Sequence, residues 1–247
     1  MDVLFGTGLI DPATLFASLV AVAAGLVVWR RHRADRRARV FLWLAISELA
    51  FFLPAILLVF RLGPADEGVP VWGMALMVVI GGLSAVLFFH FGMSFPHRRP
   101  WLRRDRIRTL YLMAGVLGLA PAVAAAVAPD RPWSAQLTGA VAIVLGPLAV
   151  IGAVAACIAV YRSYREMTAD ERRIYRAPVL GVLAGMVIAL FVDLALGIAV
   201  QSGDRRVVYA GNLLATAAAL LFPLFFFTAA MKFRLLERHS QEYVSAR

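Results

Sequence analysis

The sequence predicts an all-α, polytopic membrane protein, a bundle of seven transmembrane helices. Three observations predict it. The 247-residue chain is 62% hydrophobic and only 16% charged, whereas a water-soluble domain of this size carries about a quarter charged residues. Its apolar stretches reach the roughly 20 residues that a helix needs to cross a hydrocarbon core of about 30 Å. Its basic residues are gathered into short blocks between those stretches.

The first span covers 12–29. Asp11 and Pro12 form a start signal, an acceptor for free amides followed by a residue that loses no hydrogen bond in the first turn. Its positive charge follows the apolar run instead of preceding it, so it reads as a retained helix and not as a cleaved signal peptide. The second span, 40–60, carries Ser47 and Glu48 near its middle. The third, 72–95, ends in the stretch FFHFGMSFPHRRPWLRRDR (88–106). There the restriction that proline imposes on the residue before it stops the helix at Phe95-Pro96. His90 falls about 7 to 8 Å inside that edge at the helical rise, and reads first as a packing residue.

The fourth span is 110–128 and the fifth 137–161. Cys157, the single cysteine, sits in the fifth among Ala155, Ala156 and Ile158 as a small hydrophobe with no partner for a disulfide. In the connection that follows, Thr168-Ala-Asp-Glu171 has capping-box spacing and predicts a short helix carrying Arg172, Arg173 and Arg176 toward the sixth span. That span, 179–200, opens with Gly181-x-x-x-Gly185, a spacing that lets two helices approach closely, and contains Asp193. The seventh, 208–231, lines Gly211, Ala215 and Ala219 on one stripe and contains Asn212. It continues into a tail, 232–247, expected as a cytoplasmic helix with Phe233, Leu236 and Tyr243 near one face. Pro54, Pro121, Pro147 and Pro223 lie within spans, where each removes a backbone donor.

Orientation follows from the 25 Lys and Arg residues. All but Arg61, Arg131, Arg205 and Arg206 fall after the odd-numbered spans, which predicts an outward N-terminus and a cytoplasmic C-terminus. The same bias explains the net charge of +10. Blocks of arginine bracketed by spans point to anionic lipid headgroups as the partner and not to nucleic acid. Arg98, Arg99, Arg103, Arg104, Arg172, Arg173, Arg176 and Arg234 are the candidate contacts to lipid or to a cytoplasmic protein.

Chemistry must be sought among polar groups at membrane depth, where a charged side chain costs about 2.5 to 3.5 kcal/mol to insert. Glu48, Asp193, His90 and Asn212 are the candidate ligand-binding or proton-linked residues. By topology Glu48 falls slightly cytoplasmic of the centre and Asp193 slightly external. They could flank one polar cavity, or each could be a protonated packing device. His32, His97 and His239 all lie in basic segments, so no pair of histidines faces across the bilayer to hold haem. No cluster of ligands marks a metal site. The one lysine, Lys232, lies at the end of the seventh span, which disfavours a retinal Schiff base. Phosphate-cradling, nucleophile-elbow and zinc-protease motifs are missing, so no cofactor and no enzymatic activity are expected.

Three stretches, HFGMSFPHRRPWLRR (90–104), ERRIYRAPVLG (171–181) and FPLFFFTAAMKFRLL (222–236), together resemble the N-terminal seven-helix membrane sensor region of bacterial histidine kinases and related signalling proteins. The resemblance covers roughly 75 to 236. It departs from the family at Ile174 and Tyr175, where Gln and Trp are usual, and at Ala177-Pro178. After the last stretch the sequence carries no phospho-acceptor region and no ATP-binding domain, so the resemblance implies either a stand-alone sensor in a bacterial cytoplasmic membrane that signals to a partner in trans, or a sensor region cut before its output domain. Two other functions fit the residues: a small transporter or channel using Glu48 and Asp193, and a structural subunit of a larger membrane complex. Self-association into a homo-oligomer is compatible with each.

Overall fold

The computed structural model of the protein describes residues 12–61, 71–96, 104–128, 131–202 and 205–232, with side chains at 12, 51–61, 104, 192–202, 205–215 and 218 left outside that description. The described residues form seven α-helices and no strand: α1 (Pro12–Arg31), α2 (Arg36–Arg61), α3 (Val71–Ser94), α4 (Arg104–Val127), α5 (Pro132–Glu166), α6 (Ala169–Ser202) and α7 (Arg205–Met231). Each contains one expected span almost whole. Five are long and apolar enough to cross a membrane, over Ala13–Arg31, Val71–Ser94, Asp105–Val127, Pro132–Glu166 and Ala169–Phe191. The tail beyond Lys232, with Arg234, and the segment carrying Arg98, Arg99 and Arg103 lie outside the described residues.

The helices close a ring. α1 packs against α2 and α7, α2 against α3, α3 against α5, α5 against α6, and α6 against α7, while α4 lies mainly against α3 and α5. Leu112, Met113, Val116, Leu119 and Val123 are therefore exposed on α4, as an apolar face in lipid contact would be.

Small residues set the register of this ring. A Cβ on Gly185 would lie 2.8 to 2.9 Å from the Cβ and backbone of Phe222, and one on Gly181 would enter the ring of Phe225. The close approach expected from Gly181-x-x-x-Gly185 is thus made against α7. On the other side of the ring, a Cβ on Gly92 of α3 would meet Ala156 of α5 at 2.5 Å.

The connections are short and capped. Asp35 caps α2, its Oδ1 accepting the Arg37 amide at 2.7 Å. The Arg37 guanidinium returns to that carboxylate, Nη2 to Oδ2 at 2.7 Å, and also donates to the Pro96 carbonyl at 2.6 Å. One arginine of the first basic block thereby ties the α1–α2 connection to the end of α3, which stops before Phe95-Pro96 as expected.

Between α5 and α6 only Met167 and Thr168 are non-helical. The capping box forms: the Thr168 amide donates to Glu171 Oε2 at 3.0 Å, and the Glu171 amide to Thr168 Oγ1 at 3.3 Å. The expected separate short helix does not. The box starts α6 itself, which runs 34 residues through Pro178, because Tyr175, Pro178 and Val179 are buried in the bundle on either side of the missing amide. α5 and α6 are each about 50 Å long at 1.5 Å per residue, so the α5–α6 hairpin extends past a hydrocarbon core of about 30 Å.

The packing fixes an expected outcome. Gly185→Leu should destabilise the purified protein by about 1–3 kcal/mol through overpacking against the α7 backbone, read as a lower melting temperature in detergent. Gly139→Leu, at a position with nothing within 4 Å, should leave it unchanged.

Candidate functional site

Among the described residues the main buried cluster lies at one end of the ring. It joins Val28 of α1, Ala38, Phe41 and Leu44 of α2, Phe91 of α3 and Phe95 just beyond it, Val160 of α5, Tyr175 and Val182 of α6, and Phe226 and Ala230 of α7. These are the C-terminal parts of the odd-numbered helices, the N-terminal parts of α2 and the first half of α6. The arginine blocks flank the same parts of the chain, so the core and the basic end coincide.

Aromatic rings fill the ring of helices there. Phe41 lies 4.2 Å from Phe226 and 5.9 Å from Phe91, centroid to centroid. Phe91 meets Phe222 at 5.1 Å and 88°, and Phe226 at 5.1 Å and 77°. Edge-to-face pairs of this kind contribute about 0.5–1.5 kcal/mol each beyond area burial. Phe41, Phe91, Phe95 and Phe226 are each at most 1% exposed, so this layer closes the bundle across α2, α3 and α7.

Two turns away from that layer the character changes. Glu48 follows Phe41 by seven positions on α2, and its helical angle falls between those of Leu44 and Ala45, both buried. It therefore occupies the middle of the inward face, while Trp43, on the opposite side, is the outward residue. Yet Glu48 is exposed. Glu48 is thus an exposed carboxylate on the face that α2 turns toward its neighbours.

Register places other polar groups at the same height. Ser84 precedes Phe91 by seven positions on antiparallel α3, so the Phe41–Phe91 contact brings Ser84 level with Glu48. Its Oγ is buried and makes no hydrogen bond among the described residues. On α7, Thr216 precedes Phe222 by six positions, and its Oγ1 lies 2.8 Å from Thr14 Oγ1 of α1. On α6, Asp193 follows Gly185 by eight, about 12 Å beyond the Phe222 contact, against about 10 Å for Glu48 beyond Phe41. The expected offset between the two carboxylates thus shrinks to a small fraction of a helical turn. Asp193 shares its helical stripe with Val182 and Met186, and Asn212 lies one turn beyond Thr216; the side chains of both lie outside the described residues.

His90 does not belong to this polar layer. It is 4% exposed, and its Nδ1 lies 3.0 Å from the Tyr111 hydroxyl of α4, while Ser94 Oγ donates to its carbonyl at 2.6 Å. That geometry pins α4 to α3. Among the candidate contact arginines, Arg173 and Arg176 are exposed and Arg172 is half-buried; the Arg104 side chain lies outside the described residues. Among the described residues no group of three His, Cys, Asp or Glu side chains could hold a metal ion.

Ser84, Tyr111, Thr216 and the aromatic layer were not singled out by sequence reasoning. The signal available was spacing: Phe88, Phe91 and Phe95 recur at helical intervals on α3, as do Phe222 and Phe226 on α7, and Ser84 falls on the stripe of Phe91. Comparison with known protein families, curated proteins and solved structures returns no match to this chain.

The exposure of Glu48 predicts a difference in reactivity. In a Cys157→Ala background, the thiol of Glu48→Cys should react with a charged, water-soluble methanethiosulfonate on the folded protein. That of Phe91→Cys should react only after denaturation. Both are read by intact-protein mass.

Proposed function

We propose that the chain is an integral-membrane sensor or signalling subunit of a bacterial cytoplasmic membrane. In this reading all seven helices span, the N-terminus is outside, and the basic end faces the cytoplasm. A ligand reaches the polar layer of Glu48 and Ser84, and the aromatic layer below it carries the change to a cytoplasmic protein in trans. One observation carries the reading: an exposed carboxylate on the inward face of α2, Glu48, two turns from a closed aromatic layer.

The physics of such a device is differential affinity. A ligand shifts a bundle only if it binds two arrangements of the helices unequally. In this reading the helices have their freedom on the side of Glu48, beyond the aromatic layer. Displacement of α2 or α7 there is resisted at the Phe41, Phe91, Phe222 and Phe226 contacts, and so is felt at the basic end. There Arg37 bridges α2 to Pro96, and the arginines of the α5–α6 hairpin are exposed. The resemblance of residues 90–104, 171–181 and 222–236 to the membrane sensor region of bacterial histidine kinases points the same way.

The closed aromatic layer also weighs against a transport pathway, which needs access from both ends of the bundle in turn. The test combines two measurements. Purified with an N-terminal tag from its native membranes in mild detergent, the chain should retain a kinase, phosphatase or other output protein in near-equal amount. Proteoliposomes containing it should hold proton and rubidium gradients as well as empty vesicles do. Gradient loss abolished by Glu48→Gln would replace the sensor with a transporter, and recovery within a large set of respiratory or secretory subunits would replace it with a structural component.

A further inference from the structure

We propose that the outer face of the α5–α6 hairpin, at the basic end, is a binding site for one anionic phospholipid, its phosphate held by Arg165, Arg173 and Arg176 beside Tyr161. The proposal goes beyond the sensor reading. It needs only that α5 and α6 cross the membrane, and both are long and apolar enough to do so.

Three features converge on this ligand. The first is height. Only Met167 and Thr168 separate the two helices, so residues equally far from that turn are level on them. Tyr161, five positions before the end of α5, is therefore level with Ile174, five positions after the start of α6. Arg173 and Arg176 flank that height, and Arg165 stands about 6 Å nearer the tip. Side chains on a helix lean toward its N-terminus. Arg165 thus leans back toward the membrane while Arg173 and Arg176 lean toward the tip, and the three converge. Gly92 of α3 lies against Ala156 of α5, and the two helices run the same way. The end of α3 at Ser94 consequently falls within about 5 Å of the height of Tyr161. The guanidinium groups so occupy the headgroup region, which is roughly 5 to 8 Å thick on each side of the hydrocarbon.

The second feature is the order of chemistry along the face. Val154, Ile158, Tyr161 and Arg165 recur at helical spacing on α5 and are all exposed, as are Arg173 and Ala177 on α6. From the tip inward the face runs from arginine through tyrosine to apolar side chains. A phospholipid runs the same way, from phosphate through glycerol ester to acyl chain, and tyrosine is common at that depth. An acidic protein approaching from the cytoplasm would match the arginines alone.

The third is charge. Arg165, Arg173 and Arg176 are exposed, and none is engaged in a hydrogen bond or ion pair among the described residues. The acidic groups of the hairpin stand at its tip, Glu166 and Asp170 exposed and Glu171 in the capping box. A guanidinium fork matches two phosphate oxygens at once, and the Tyr161 hydroxyl can donate to a third.

Dioleoylphosphatidylglycerol is the probe, with dioleoylphosphatidylcholine as its zwitterionic counterpart carrying the same chains. Added to the delipidated full chain in a neutral detergent and read by native mass spectrometry, phosphatidylglycerol should give one adduct per chain at concentrations where phosphatidylcholine gives none. Arg173→Gln with Arg176→Gln should weaken that adduct about tenfold or more. Arg30→Gln with Arg31→Gln, which removes the same charge from exposed positions at the end of α1, should change it by about twofold at most. Tyr161→Phe should weaken it a few-fold. Each variant is first shown to keep the wild-type melting temperature; if the glutamine pair does not, Arg173→Gln alone carries the test with a few-fold loss.

Equal retention of the two lipids, or an equal effect of the α1 and α6 pairs, overturns the site and leaves a general attraction of a basic surface to lipid. Displacement of the adduct by excess inorganic phosphate overturns the lipid in favour of a soluble anion. Absence of a phosphatidylglycerol adduct overturns it too, and loss of a co-purifying protein from the α6 pair would then make the hairpin a protein surface. The sensor reading fails separately, on gradient loss from vesicles or on recovery as a structural subunit.

Discussion

The contact of Phe41, Phe91, Phe222 and Phe226 is the interaction on which the rest of this bundle depends. Lipid tails are as apolar as leucine, so helices in a membrane gain nothing by merely hiding hydrophobic surface from one another. What holds them is close packing. Here that packing is made by large rigid rings meeting edge to face, next to glycines that let the backbones approach. Gly181 and Gly185 bring α6 onto the α7 residues that carry Phe222 and Phe225. Without that approach, α7 could not present Phe222 and Phe226 to Phe91 and Phe41.

Among the described residues this aromatic packing lies at the basic end. At the basic end the helices are tied by rings, by the Asp35–Arg37 ion pair reaching Pro96, and by the capping box that starts α6. Toward the other end the inward face of α2 passes from phenylalanine to glutamate within two turns, and the glutamate is exposed. α2 and α3 each carry a polar residue and an aromatic-layer residue on one stripe, seven positions apart: Phe41 and Glu48, Ser84 and Phe91.

Most of the fold was legible in the sequence, for a simple reason. The bilayer demands long apolar helices with polar ends, and that demand leaves a coarse, unmistakable pattern. Helix limits follow the expected spans, with the excess at the charged ends. The capping box and the glycine pair were readable because each is a local rule tied to particular atoms. The separate short helix before the sixth span was not borne out, since a proline predicts a break only when nothing buries the flanking residues, and Tyr175 and Val179 are both buried.

The site was only half legible. Glu48 and Asp193 stood out as carboxylates at membrane depth, but their relative height depends on how α6 registers against α7, which the Gly185–Phe222 approach decides. Ser84 carries no signal of its own and matters only through Phe91, seven positions on. Phenylalanines in a membrane protein read as generic apolar filler, and their assembly into one layer depends on which helices close the ring. His90 was legible as a packing residue, although its partner Tyr111 on α4 was not.

The central claim is that water reaches Glu48 and stops at the phenylalanines. Magnetisation transfer from water to the unmodified chain in lipid bilayers, followed site by site by solid-state NMR, measures this directly. The account predicts rapid transfer to Glu48 and little to Phe41, Phe91 and Phe226. Equally slow transfer at Glu48, or equally rapid transfer at the phenylalanines, would contradict it.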